Sequence, residues 1–517
     1  MMRVEEYLRT SAGRHCAKEA LIAGSVRLTY GEIDAASDRL AAAMARAGLK
    51  RHDRVIVFMD NCWQAVIAIF AVLKAGAVVS PVNPSTKADK LAYILDNAGA
   101  AGIITQARLA KTADQAAQQA PSVTLKIASD EKGQGLPADY RNFEDILDDA
   151  ADFELPFAGI VTDLAMLVYT SGSTGFPKGV MMTHQNVDAA AGSITTYLEN
   201  TADDIILNVL PISFDYGLYQ ILMAFRVGAT LVLEKSFAFP QVILDRMIEE
   251  KVSGFPIVPT MAALILRMKS LEPGSFPHLR YISSTGAAFA PAVIQQMRVL
   301  FPGTRVYSMY GLTECKRCTW LPPSELDRRP GSVGIAIPGT EAYVVDDNGQ
   351  RLPAGKVGEL VIRGPHVMKG YWHNEEASDK ALKTGIYPWE KVLHTGDLFH
   401  ADEDGFLYFV GRKDDIIKTR GEKVSPKEVE NVLYAMPEIS EAAVLGVADT
   451  VLGSAIKAIV VAAPGTQPTE KDVLRHCARH LEDFMVPKQV AFRDSMPKTD
   501  SGKISRRLLQ ETLEAGE

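Results

Sequence analysis

Cysteine is scarce in this chain: Cys16, Cys62, Cys315, Cys318 and Cys477 are the five among 517 residues. A sparse, odd set excludes a disulfide framework and is the usage of a reducing compartment, so a cytoplasmic protein is expected. Positive charge is in deficit. The 55 Lys and Arg face 63 Asp and Glu, a formal net charge of −8, which argues against a nucleic-acid-binding surface and requires any bound phosphate to be held locally. Long apolar runs are also missing. The best approach to one, Ala65 to Val82, is interrupted by Lys74 and Gly76 and closed by Pro81; a buried helix running into a buried strand is expected there, with no membrane span. The N-terminus carries acids where an export signal needs an apolar stretch, so none is expected. Neither G-x-x-x-x-G-K-S/T nor G-x-G-x-x-G occurs, which removes the two commonest nucleotide-loop signatures. No fixed-period repeat or low-complexity block is visible.

What is present is the composition of a large folded protein. Hydrophobic residues make up 47% and charged ones 23%, enough apolar surface to offset the entropy of ordering. The length exceeds one compact core and predicts a large domain plus at least one more. From Leu28 to about Pro259, helical patterns alternate with short apolar runs such as Val55 to Met59, Gly102 to Thr105, Ala165 to Tyr169 and Thr230 to Leu233, the pattern of parallel strands covered by helices. After about Arg329 the texture becomes short strands and tight turns, as in Tyr343 to Val345 followed by Asp346-Asp347-Asn348-Gly349. These read as antiparallel hairpins of a small barrel or curved sheet. A last segment from about Lys413 has a helix start at Ser425-Pro426 and strands at Ala442 to Val447 and Ala455 to Ala462, a small α+β unit. The expected fold class is therefore α/β, with a large domain over residues 1–412 made of helix-covered sheets plus a small β-barrel-like part, and a second domain over residues 413–517.

The strongest chemical signal is Leu167-Val-Tyr-Thr-Ser-Gly-Ser-Thr-Gly-Phe-Pro-Lys-Gly179. An apolar strand runs into a loop in which Thr170, Ser171, Ser173 and Thr174 offer hydroxyls, Gly172 offers an exposed backbone N–H and Lys178 offers charge. That combination suits phosphate oxygens. Other strings follow: Tyr310-Gly-Leu-Thr-Glu314, Gly358-Glu-Leu-Val-Ile-Arg-Gly364, His394-Thr-Gly-Asp397, Gly411-Arg-Lys-Asp-Asp-Ile-Ile-Lys-Thr-Arg-Gly421 and Pro497-Lys-Thr-Asp-Ser-Gly-Lys503. In this order, across nearly the whole chain, they resemble the motifs of the adenylate-forming superfamily: acyl- and aryl-CoA ligases, peptide-synthetase adenylation domains and luciferases.

The resemblance implies an AMP-forming carboxylate–thiol ligase that joins a small-molecule carboxylic acid to CoA with ATP and Mg²⁺. It places the phosphates on Thr170 to Thr174 and Lys178. Gly286, Ala287 and Ala288 would run along the adenine, on which Tyr310 stacks beside Gly311. Thr313 would take a phosphate and Glu314 the Mg²⁺, an ion that prefers oxygen ligands. Asp397, an acceptor-only carboxylate, would take the ribose hydroxyls with help from Arg412. Lys503 matches the catalytic lysine, a cation suited to the charge that builds up when a carboxylate attacks the α-phosphate. Asp414 matches the hinge about which a mobile C-terminal domain swings, Gly421 would line the thiol tunnel, and Lys423 would face phosphate before the swing.

The substrate string, Leu210-Pro-Ile-Ser-Phe-Asp-Tyr-Gly-Leu-Tyr219, departs from the common acyl-CoA ligase form, in which a histidine often stands where this chain has Phe214. Phe214-Asp215 is similar to peptide-synthetase adenylation domains, where an aspartate holds an amino group. With Tyr216, Tyr219, Ser284 and Thr285 these residues are the expected acid pocket. A buried carboxylate needs a partner, so the alternative is an amino- or aryl-acid adenylating enzyme that loads a separate carrier protein or forms an amide. Cys315-Lys-Arg-Cys318 has the spacing of half a zinc site, but one pair alone seldom binds metal. His184 reads as a helix-start residue rather than a base.

Overall fold

The structure, a computed structural model, describes residues 1–149, 154–155, 159–170, 177–268, 270–286, 289–413, 415–419, 422–449, 453–499 and 504–514. Two large sheets, one five-stranded antiparallel sheet, a two-stranded hairpin and a small C-terminal sheet account for the strands among them. The first large sheet has seven strands in the order Arg141–Asn142, Leu125–Ser129, Ala100–Gln106, Arg54–Phe58, Val78–Val82, Leu164–Thr170 and Lys178–Thr183. All neighbours are parallel except the last pair. Its period-2 chemistry is plain in Arg54–Phe58. Val55 and Val57 enter the main core, whereas Ile56 and Phe58 enter a second core under the helices Ala88–Ala98 and Ala107–Ala117, as alternation of side chains across a covered sheet requires.

The second large sheet has nine strands, with Arg305–Tyr310, Tyr281–Ser284, Gly254–Ile257, Ile205–Asn208, Thr230–Leu233 and Glu19–Ala23 running parallel through its centre. Antiparallel strands finish both edges. Between the sheets lies the helix Trp63–Lys74, whose apolar side chains from Ala65 onward are buried. It is followed by the buried strand Val78–Val82, as expected for this run. Its terminal Lys74 has a fully buried side chain, and the ammonium is paired with Asp34 at 2.5 Å and Asp38 at 2.6 Å. Among the described residues, no helix is long and apolar enough to cross a membrane.

The small β part is an antiparallel sheet built from Glu341–Val345, Gly358–Arg363, Lys391–Ala401, Leu382–Thr384 and Leu407–Arg412. Beyond it come a short hairpin, Ile417–Thr419 with Glu422–Val424, the helix Pro426–Tyr434, and a three-stranded sheet of Ile439–Asp449, Gly453–Ala462 and Gln489–Phe492. This last segment has apolar cores of its own, with Ala442 and Val444 on one face of the sheet and Ala443 and Leu445 on the other.

Candidate active site

The candidate residues gather where strands of both large sheets reach their C-terminal ends, the usual ligand position in open α/β folds. Thr170 closes Leu164–Thr170 and pairs across the hairpin with Lys178. The loop between them, with Ser171, Gly172, Ser173 and Thr174, lies outside the described residues, as do Ala287, Ala288, Asp414, Gly421 and Lys503. Lys423 stands on the strand Glu422–Val424.

Tyr310 ends the strand Arg305–Tyr310. Its hydroxyl donates to Asp397 Oδ2 at 2.6 Å, while Arg412 Nε lies 3.2 Å from Asp397 Oδ1. Asp397 and Arg412 are cross-strand partners, so two sequence motifs fifteen residues apart are brought face to face by one antiparallel ladder. The Tyr310 ring packs against Phe399 and Phe409, at 4.9 and 6.4 Å between centroids. Burial pushes the Asp397 carboxyl above the ordinary carboxylate range, against the pull of Arg412. An ionised carboxylate offers about four acceptor positions. Tyr310 uses one, and Oδ1 makes no hydrogen bond to the described residues, so acceptor capacity remains for a ribose.

Glu314 and Lys178 are linked by a residue that motif reading missed. Backbone pairing of Lys369 with Met181, of Met181 with Gly370, and of Trp372 with Gly179 lays residues 369–372 along the strand Lys178–Thr183. This sets the Tyr371 ring 5.3 Å from Lys178 Nζ and its hydroxyl 2.6 Å from Glu314 Oε1, to which it donates. Lys178, Tyr371 and Glu314 thus form one chain of contacts from the phosphate loop to the proposed metal ligand. The only sequence signal was an aromatic pair, Tyr371-Trp372, directly after a glycine. Glu314 is half-buried and offers oxygen ligands, the donor chemistry that Mg²⁺ prefers.

The pocket residues converge from three elements. Phe214 precedes the buried helix Asp215–Val227, which must approach the chain before it closely: a Cβ on Gly217 would collide with the carbonyls of Leu210 and Pro211. Tyr216 donates to the Ser283 carbonyl at 2.8 Å. Ser284 ends the strand Tyr281–Ser284, and Thr285 and Gly286 follow, the glycine at φ +91°. Cys315 and Cys318 are buried with their sulfurs 2.8 Å apart, and burial pushes the Cys315 thiol up. Among the described residues no group of three His, Cys, Asp or Glu side chains surrounds a metal-sized space. His184 opens the helix His184–Tyr197 and accepts from the Val4 N–H through Nδ1 at 3.0 Å, a structural role.

The family described as AMP-binding enzyme matches residues 8–372, and the AMP-binding enzyme C-terminal domain matches residues 428–503. A long-chain-fatty-acid–CoA ligase of Salmonella typhimurium is 31% identical over 98% of this chain and 94% of its own length. An oxalate–CoA ligase of Arabidopsis thaliana is 30% identical over 94% of each chain. Among solved structures, ATP-bound MatB from Rhodopseudomonas palustris superposes with a TM-score of 0.90 at 28% identity over 99% of both chains. An anthranilate CoA ligase, AuaEII, in complex with anthranoyl-AMP gives 0.90 at 25% over 100% of this chain and 98% of the other. The chain belongs to the AMP-binding enzyme family of the adenylate-forming superfamily. Within it, the protein is an AMP-forming acid–thiol ligase that uses ATP, Mg²⁺ and CoA.

Proposed function

We propose that this chain activates a carboxylic acid as its acyl-adenylate, releasing pyrophosphate, and then passes the acyl group to the CoA thiol with release of AMP. The observation that carries the residue assignment is the meeting of Tyr310, Asp397 and Arg412 on one side of the strand ends with Lys178, Tyr371 and Glu314 on the other. The first group is an acceptor-rich aromatic seat for a nucleoside, and the second joins a cation to an oxygen ligand, as a triphosphate requires. Thr170 and the loop that follows it cradle the phosphates, Lys178 supplies local charge, and Thr313 donates to a phosphate oxygen. Mg²⁺ bound at Glu314 would neutralise phosphate charge as pyrophosphate leaves. Lys503 meets the charge that grows at the bridging oxygens while the carboxylate attacks.

The chain is divided between residues 1–412 and 413–517, which swing about Asp414. Lys423 and Lys503 face the nucleotide in one pose, and Gly421 lines the thiol path in the other. The separate apolar cores of the last segment support this division. The protein is cytoplasmic, in keeping with its five free cysteines. CoA is the acceptor rather than a carrier protein, since the relatives above are named as CoA ligases.

Those names range from long-chain fatty acid to oxalate and anthranilate, so the acid is chosen within each pocket. The amino-acid alternative sets a substrate ammonium against Asp215. Lys316 already lies in the field of that carboxylate, which favours an acid without an amino group. A pyrophosphate-release screen over fatty, aryl and amino acids, with and without CoA, tests the reading. AMP and a thioester should accumulate only when both acid and CoA are supplied. A strong preference for a free amino acid, lost in Asp215→Ala, would replace it with the amino-acid reading.

A further inference from the structure

The turn between the strands Arg305–Tyr310 and Thr319–Leu321 carries two consecutive cations, Lys316 and Arg317, each only 1% exposed. Burying a cation is costly unless it is paired and hydrogen-bonded. Here neither forms an ion pair with a described carboxylate, and Lys316 Nζ and Arg317 Nε find no hydrogen-bond partner among the described residues. The backbone is forced as well. Lys316 sits at φ +67°, a left-handed conformation that costs a long side chain energy, with its N–H on the Leu312 carbonyl at 2.7 Å. A Cβ at Gly311 would strike the Lys316 carbonyl, so the turn closes tightly at that point. Strain, burial and a charge without a hydrogen-bond partner among the described residues thus meet at Lys316.

The Lys316 ammonium lies 5.8 Å from the Tyr219 ring centroid, and the Arg317 guanidinium lies 4.3 Å above Tyr216. Tyr216 and Tyr219 stand three residues apart on one face of the helix Asp215–Val227. Tyr219 Oη, Ser284 Oγ and Thr285 Oγ1 are likewise buried without a hydrogen-bond partner among the described residues. Five polar atoms with unused hydrogen-bonding capacity therefore lie on the elements that line the acid pocket. Unsatisfied buried polar groups are rare in folded proteins, and a cluster of them calls for a ligand or ordered water. The carboxylates whose fields reach Lys316 are Asp215 and Glu314; Glu314 is already engaged by Tyr371.

We propose that Lys316 and Arg317 are specificity-determining residues that recognise a second oxyanion on the acid, at the end away from the reacting carboxyl, so that the preferred substrate is a dicarboxylic acid rather than a fatty acid. The planar guanidinium matches a carboxylate in two parallel hydrogen bonds, and the lysine adds a compact charge. Tyr219, Ser284 and Thr285 supply neutral donors around them. An apolar chain end would leave the hydrogen-bonding capacity of both cations unused. This rests on the ligase reading above and adds the substrate class to it.

The test is AMP formation by the full chain with ATP, Mg²⁺ and CoA on matched pairs: butyrate and succinate, hexanoate and adipate, benzoate and terephthalate. Wild type should favour the dicarboxylic member of at least one pair by ten-fold or more in kcat/KM. Lys316→Met and Arg317→Met should lower that ratio ten-fold or more, chiefly through KM, while Lys316→Arg retains most of it. A wild type that prefers the monocarboxylic member of every pair overturns the proposal. So does an equal loss on both members in the Met variants, which would place the cations on the reacting carboxyl or in a purely structural role. Binding gives a readout independent of turnover: the preferred dicarboxylic acid should raise the melting temperature of wild type in the presence of a non-hydrolysable ATP analogue, and fail to do so in Lys316→Met. No shift in wild type with any of the three diacids sinks the proposal even if the enzyme turns over other acids, whereas a shift without turnover counts against the ligase reading alone.

Discussion

Asp397 is one carboxylate that holds the fold together and, in the proposed function, also receives the ligand. Its side chain receives the Tyr310 hydroxyl and faces Arg412, which holds the aromatic ring and the charge in one place before any nucleotide arrives. Asp397→Asn keeps an oxygen for Tyr310 but removes the negative charge. Hydrogen bonds to a charged group contribute about 1.5 to 3 kcal/mol, so KM for ATP should rise roughly 10- to 100-fold with little change in melting temperature. Nucleotide titration of the variant checks this, and an unchanged KM would remove Asp397 from the ribose site. The contact of Tyr371 was not legible in any motif, because it reaches across 57 residues to Glu314 and depends on the pairing of residues 369–372 with the distant strand Lys178–Thr183.

At the scale of elements, the turn that follows Gly358–Arg363 buries a titratable group. His366 is 1% exposed, and burial alone lowers its pKa to about 4 from 6.5. The folded protein excludes a proton that the unfolded chain accepts. The stabilising contribution is thus complete above pH 6.5 and is lost as the pH falls from 6.5 through 4. Over that window His366 should remove roughly 3 kcal/mol, at about 1.4 kcal/mol per pH unit. Urea unfolding of wild type and His366→Gln at pH 7 and pH 4.5 gives the measurement. The difference in stability between the two should shift in favour of the variant at the lower pH, and a difference independent of pH would show that His366 is charged in the folded state. His184, also lowered to about 4 by burial, titrates in both proteins and cancels in the comparison.

For the whole molecule, the proposed swing requires the last hundred residues to meet the site in more than one way. Arg506 ties the C-terminal helix to Asp415 at 2.8 Å and to Glu430 at 2.7 Å, so the segment around residue 414 is coupled to the body that carries the late lysine. Lys503→Ala should slow adenylate formation by roughly 10²- to 10³-fold, the range for loss of a group that stabilises developing charge. Thioester formation from supplied acyl-adenylate should be largely spared. Equal loss in both half-reactions would contradict the role. Asp414→Pro fixes φ near roughly −65°. It should leave pyrophosphate release intact and cripple thioester formation, and normal thioester synthesis would exclude a swing about this position.

Period and punctuation in the chain were sufficient for the layered α/β class and for the buried helix and strand at Ala65 to Val82, because alternation and turn chemistry are local properties. The ordered motifs likewise marked Thr170, Lys178, Tyr310, Glu314, Asp397 and Arg412 before any fold was known. Tertiary structure alone decided who their partners are. Pairing of Asp397 with Arg412 follows from the register of one ladder, and Tyr371 reaches Glu314 through strand addition. Lys316 and Arg317, which in sequence lie unremarked between two cysteines, are buried in a turn whose first cation takes a left-handed backbone. Burial and direction of a side chain depend on what packs against it from distant parts of the chain, and charge in a string of letters carries no sign of whether water will reach it.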